Sequence, residues 1–121
     1  MIESVGIIGV GMIGGSIAHA LREQQVCQKI IGIDPSAETL AWALNANLIE
    51  QGWQQVADCP EVPQVVIICV PVASMRAVFA QCKDWFSQCS AVTDVGSTKQ
   101  SVIADLQAAV SYTHLRAHDT M

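Results

Sequence analysis

The chain has 121 residues, 51% of them hydrophobic, and a mean hydropathy of +0.37, which suits one packed domain and not a disordered chain. Eleven acidic against six basic residues leave a net charge of −5 with no Lys/Arg cluster, so no nucleic-acid partner is expected. No apolar run nears the roughly 18 residues of a membrane-spanning helix, and Met1-Ile2-Glu3-Ser4 does not read as an export signal. A cytoplasmic protein without a membrane partner is therefore expected.

From Ser4 to Ile8 the residues are apolar and β-branched, as in a strand, and Gly9-Val10-Gly11 then makes a turn. Ile13, Ile17 and Leu21 recur four apart from Met12 onward, which predicts a helix with those three on one buried face. Lys29 to Asp34 reads as a second strand. Pro35-Ser36 then punctuates the chain before a helix from Ala37 to about Ala46, with Leu40, Ala43 and Leu44 clustered and turns at Asn47 and Gly52. A weak third strand is expected at Trp53 to Val56, followed by a loop through Pro60 and Pro63.

Val65 to Val70 is an uninterrupted apolar run, the pattern of a strand covered on both faces, and Pro71 ends it. Met75, Val78, Phe79, Cys82 and Phe86 then fall at helical spacing on one amphipathic helix. Ala91 to Asp94 reads as a fifth strand. Ser97 and Gln100 stand in capping-box spacing at the start of a last helix, whose apolar face is Val102, Ile103, Leu106 and Val110. The cysteines are odd in number and show no C-x-x-C spacing, so neither a disulfide framework nor a metal site is expected, and Cys69 and Cys82 read as reduced core residues.

Gly9-Val10-Gly11-Met12-Ile13-Gly14 is a G-x-G-x-x-G segment between a strand and a helix, with Asp34 twenty residues past its last glycine at the end of the next strand. A dinucleotide pyrophosphate needs close backbone approach, free N–H donors and the positive end of a helix. Gly9 supplies the tight turn, Gly11 the clearance for phosphates, and Gly14 the close packing of helix on strand, with Gly15 adding small bulk at the same surface. Met12 and Ile13 lie between these glycines. Asp34 is expected to accept hydrogen bonds from the adenosine ribose hydroxyls, and with no Arg or Lys beside it the cofactor is expected to be NAD and not NADP. Val70 and Pro71 end the fourth strand at the sheet edge where such folds bind ligands. The fold class is thus α/β, a Rossmann-type doubly wound parallel sheet of about five strands.

Over residues 1–110 the sequence resembles the prephenate dehydrogenase family, which includes arogenate and cyclohexadienyl dehydrogenases. The resemblance rests on the loop from Gly9 to Ser16, on Ile68-Cys69-Val70-Pro71-Val72, and most specifically on Asp94-Val95-Gly96-Ser97-Thr98-Lys99. It implies an NAD-dependent oxidative decarboxylation of prephenate to 4-hydroxyphenylpyruvate, on the route to tyrosine, with prephenate or arogenate as the small-molecule substrate. It further implies that Ser97 orients substrate and a catalytic histidine lying in a later Gly-His-Pro-like segment. The C-terminal helical domain, through which such enzymes form homodimers, would follow the present region.

The domain reading is residues 1–110 as the nucleotide-binding domain and 111–121 as a non-native tail, since Ser111 to His118 resembles a translated sequencing-adapter peptide. His114 and His118 are two ligands at most, too few for a closed metal site. Without the histidine segment and the second domain, the expectation is a chain that binds NAD weakly or not at all and has no dehydrogenase activity. Two other readings of the residues stand beside this one: the nucleotide domain of another β-hydroxyacid-type dehydrogenase, and a non-catalytic NAD-sensing module.

Overall fold

The computed structural model describes residues 2–94. Its elements in chain order are β1 (Ile2–Ile8), α1 (Met12–Glu23), β2 (Cys27–Ile33), α2 (Ala37–Asn45), β3 (Gln51–Trp53), β4 (Val65–Ile68), α3 (Met75–Gln81), α4 (Lys83–Gln88) and β5 (Ala91–Asp94). The strands form one sheet in the order β3-β2-β1-β4-β5, and every neighbouring pair is parallel. The predicted last helix around Ser97, and the whole 111–121 segment, lie outside the described residues.

Alternation along the strands sends side chains to two separate cores. Val5 and Ile7 of β1, Ile30 of β2, and Val65 and Ile67 of β4 meet Ile17, Ala18 and Leu21 of α1 and Leu40 and Ala43 of α2. The intervening residues, Ile8, Ile31, Ile33, Val66 and Ile68, meet Cys82 and Trp85 on the opposite face. Strands apolar on both sides are what a parallel sheet covered by helices demands. Each fully buried Ile, such as Ile67, contributes about 2–3 kcal/mol by leaving water. Because the winding reverses between β1 and β4, their carboxyl ends diverge there and leave a crevice, which is where this class of sheet binds ligands.

Both α1 and α2 stop in the same way. Gln25 (φ 52°) and Asn47 (φ 59°) adopt the left-handed conformation just past the helix. Val26 and Leu48 then donate back to Leu21 and Ala43, while Gln25 and Asn47 donate to Arg22 and Leu44. This is a Schellman motif, which satisfies the last carbonyls of a helix and turns the chain into the next strand. At the start of α2 the Ser36 hydroxyl accepts from the Thr39 N–H at 3.2 Å, an N-cap.

Several sequence expectations require correction. Ile13 is 57% exposed, since the buried stripe of α1 is Gly14, Ile17, Ala18 and Leu21 and its first turn stands above the sheet edge. Leu44 is likewise 41% exposed, leaving Leu40 and Ala43 to hold α2. The third strand is Gln51–Trp53, which puts Gly52 inside it: Gln51 and Trp53 pair with Ile31 and Ile33, and Val56 instead opens a 3-10 turn that buries its side chain. Finally, the single helix expected after Pro71 is a 3-10 turn (Val72–Ser74) and two short helices joined at Cys82, and β4 ends at Ile68 before Val70 is reached.

The amino edge of the sheet is tied by charge. Arg22 at the end of α1 pairs with Glu50, whose second carboxylate oxygen accepts the Ile30 N–H at 2.7 Å, and Lys29 pairs with Glu61.

Candidate functional site

At the carboxyl edge the chain leaves β1 through Gly9, whose φ of +92° favours glycine. A Cβ on Gly9 would stand 2.4 Å from the Cys69 carbonyl oxygen, so the loop lies directly on the segment leaving β4. A Cβ on Gly14 would stand 2.0 Å from the Gly9 carbonyl oxygen and 3.2 Å from Ile7, so this glycine sets how closely α1 sits on β1. Gly11 is the opposite case: nothing lies within 4 Å of its missing Cβ. The space above it is open to a ligand, and the first-turn N–H groups of α1 have no intrahelical partners. Gly15 does not share the Gly14 surface; it faces the Trp42 ring of α2.

Two adjoining clefts flank this loop. The larger, about 510 Å³, runs from Gly9 and Gly11 past Asp34 to Val70, Pro71 and the first turns of α3. The smaller, about 340 Å³, is lined by Gly11, Met12, Ile13, Gly14, Cys69, Val70 and Pro71. Gly9, Gly11, Met12, Ile13, Gly14, Asp34, Val70 and Pro71 therefore all line one or the other of two clefts that share Gly11, Cys69, Val70 and Pro71 at the β1/β4 divergence. Ser97 lies outside the described residues.

Among the described residues, Asp34 is the one charged residue lining the larger cleft. Its two oxygens accept backbone N–H bonds, Oδ2 from Val10 and Oδ1 from Ser36, each at 2.9 Å. A carboxylate offers about four acceptor positions, so both oxygens keep capacity for hydroxyl donors. The surrounding residues are neutral, and burial pushes the Cys69 thiol up to about 12, so it too is uncharged near neutrality. Among the described residues nothing cationic lines the cleft to receive an extra phosphate.

Sequence reasoning missed Gln54, Gln55, Ser74, Ala77, Val78 and Gln81, which also line the larger cleft. Gln54 donates to the Pro35 carbonyl at 3.1 Å, and the Asp34 N–H to the Trp53 carbonyl at 3.1 Å, so the ends of β2 and β3 are joined behind the carboxylate. Placing β3 two residues earlier would have exposed this signal, because the residues just after a strand's end sit at the ligand edge.

The profile of the prephenate dehydrogenase nucleotide-binding domain matches residues 17–119. The chain belongs to that family. It is 33% identical over 104 residues to the prephenate dehydrogenase of Bacillus subtilis (strain 168), covering 85% of this chain and 28% of that protein. To the cyclohexadienyl dehydrogenase of Zymomonas mobilis it is 30% identical over 105 residues, covering 87% of this chain and 36% of that one. Among solved structures, prephenate dehydrogenase from A. aeolicus in complex with hydroxyphenyl propionate and NAD+ superposes with a TM-score of 0.72 at 30% identity, covering 78% of this chain and 33% of that one. A second structure of the Aquifex aeolicus enzyme gives 0.69 at 32% identity, over 74% and 33%. The chain thus spans about a third of the length of the relatives it matches. The family profile begins at residue 17, past the glycine loop, so the loop is recognised by its own geometry and not through that match.

Proposed function

We propose that this chain is the NAD-binding region of an enzyme that oxidatively decarboxylates prephenate, or its amino analogue arogenate, to the aromatic product on the route to tyrosine. The observation that carries the cofactor half is Asp34, a carboxylate facing a neutral cleft beside an open glycine loop. The family membership carries the reaction half. Gly11 leaves room for the pyrophosphate, and the first-turn N–H groups of α1 at Met12 and Ile13 point their positive ends to it. Asp34 takes the ribose hydroxyls and repels a 2′-phosphate. Val70 and Pro71 line the floor between the two ribose positions.

NAD, when bound, supplies hydride acceptance. The chain's own residues bind and orient: Ser97, at the start of the segment after β5, is assigned to orienting the substrate and a histidine carried by the remaining chain of the larger enzyme. The same reading places that enzyme in the cytoplasm as a homodimer joined through its further domain. No helix among the described residues is long and apolar enough to cross a membrane.

Calorimetric titration of the full chain with NAD and with NADP tests the cofactor. Weak NAD binding, with NADP at least tenfold weaker, is expected, a gap of about 1.4 kcal/mol. Equal affinity for the two would overturn the role given to Asp34. Incubation with prephenate and NAD is expected to give no absorbance at the reduced-nicotinamide band, since this chain spans about a third of the length of the relatives it matches. Growth of that band would contradict the division of labour.

A further inference from the structure

The glycine loop has two kinds of N–H group. Those of Gly9 and Val10 are bonded back to the second strand and its end, Gly9 to the Ile33 carbonyl at 2.7 Å and Val10 to Asp34 Oδ2 at 2.9 Å. Gly11, the next residue, lines both clefts, and the first-turn N–H groups that follow it have no carbonyl ahead of them in the helix to bond. The division falls where the Asp34 carboxylate reaches across. The start of α1 has no side-chain cap at Gly11 and no acidic residue in its first turn, so the hold that a local N-cap usually provides comes from another strand.

The carboxylate is itself held from three directions. The Asp34 N–H is bonded to Trp53, its Oδ1 receives the Ser36 N–H, and the Pro35 carbonyl next to it receives Gln54 Nε2. Val10 is fully buried in the core on the α1 side, so once its N–H is fixed the turn from Gly9 to Gly11 has little freedom left. A charge-assisted bond of this kind is among the stronger single hydrogen bonds in a protein.

We propose that Asp34 is a positioning residue for the pyrophosphate loop in addition to its contact with the ribose, so that the two ends of the ADP half are coupled through one side chain. This rests on the NAD reading above and deepens it. One consequence concerns cofactor exchange: replacing Asp34 by a small residue to admit a 2′-phosphate also releases Val10. Removing the charge alone then yields a chain that binds both dinucleotides poorly.

Two readouts on the full chain, compared with Asp34→Ala and Asp34→Asn, decide the matter. In the first, NAD is paired with its 2′,3′-dideoxyadenosine analogue, which has no hydroxyl for Asp34 to touch. Asp34→Ala is expected to weaken the analogue about tenfold, the size of one lost charge-assisted bond; unchanged affinity for the analogue would sink the proposal. The second readout is amide hydrogen exchange without nucleotide. Val10 is expected to exchange at least tenfold faster in Asp34→Ala and by an intermediate factor in Asp34→Asn, which keeps one acceptor oxygen, while Ile67 stays protected. Unaltered exchange at Val10 in both variants overturns the latch even if NAD binds as proposed. Faster exchange at Val10 in the variants of a chain that itself binds NAD and NADP equally would uphold the latch and overturn the cofactor reading instead.

Discussion

The two edges of the sheet are built from the same strands and end in opposite conditions. At the amino edge the charged side chains pair with one another: Arg22 and Glu50 pair, Glu50 also closes on the Ile30 N–H, and Lys29 meets Glu61. At the carboxyl edge, glycines take the place of side chains, the helix start is uncapped and one carboxylate faces a crevice of about 510 Å³. The difference shows where this fold keeps its stability and where it keeps binding capacity. A parallel sheet can dedicate one edge to each because its strands all point the same way.

The sharpest way to break that separation is Gly14→Ala, which places a methyl 2.0 Å from the Gly9 carbonyl oxygen. The strain is expected to cost about 3 kcal/mol, read by urea denaturation, and to abolish NAD binding by lifting α1. Gly11→Ala, one turn earlier, meets no atom within 4 Å. Its stability is expected to change by less than about 0.5 kcal/mol while NAD affinity falls about tenfold or more, 1.4 kcal/mol per decade. If Gly11→Ala leaves the titration unchanged, the open space above that residue is not where phosphate binds.

Alkaline pH acts on the thiols that folding takes out of water. Burial lifts Cys27 and Cys82 to about 11 and Cys69 to about 12, from an ordinary value of 9.0. The folded chain holds those protons more tightly than the unfolded one, so their contribution is whole below about pH 9 and is lost as pH climbs through 11 to 12. Thermal melts at pH 8, 9.5 and 11 are expected to show the midpoint falling slightly in the first interval and more steeply in the second; a midpoint flat to pH 11 contradicts it.

Glu50→Ala removes an ion pair and the acceptor of a backbone N–H at the amino edge. About 1–2 kcal/mol of stability should be lost, mostly through the orphaned N–H, since half-exposed pairs contribute little. NAD affinity of the folded fraction should be unaffected. The smallest expected effect is a gain: Gln25→Gly relieves a left-handed non-glycine residue at the end of α1 and should add about 0.5–1 kcal/mol.

Much of this molecule was legible because its signals are local. The strand-turn-helix around Gly9 to Gly14, the acidic residue after β2 and the doubly apolar run from Val65 need only spacing to be read. What escaped depends on which strand lies beside which. Ile13 shares a period with Ile17 and Leu21, yet the helix begins above the sheet edge, so that position meets solvent. The register of β3 is set by Ile31 and Ile33, not by its own three residues, and the helix break at Cys82 carries neither Pro nor Gly. The bonds from Asp34 to Val10 and from Gln54 to Pro35 span 24 and 19 residues and exist only once β1, β2 and β3 are adjacent.

Strand order has a further consequence during synthesis. β1 pairs with β2 on one side and, on the other, with a strand that begins only at Val65. At ordinary elongation rates that partner leaves the ribosome about 3–12 s after β1. Through this interval β1, α1 and β2 can assemble from nearby sequence, but the Cys69 carbonyl beneath Gly9 does not yet exist. The nascent loop therefore has its β2 tether before it has its floor, and the crevice is complete only once the sheet has closed across β1 and β4.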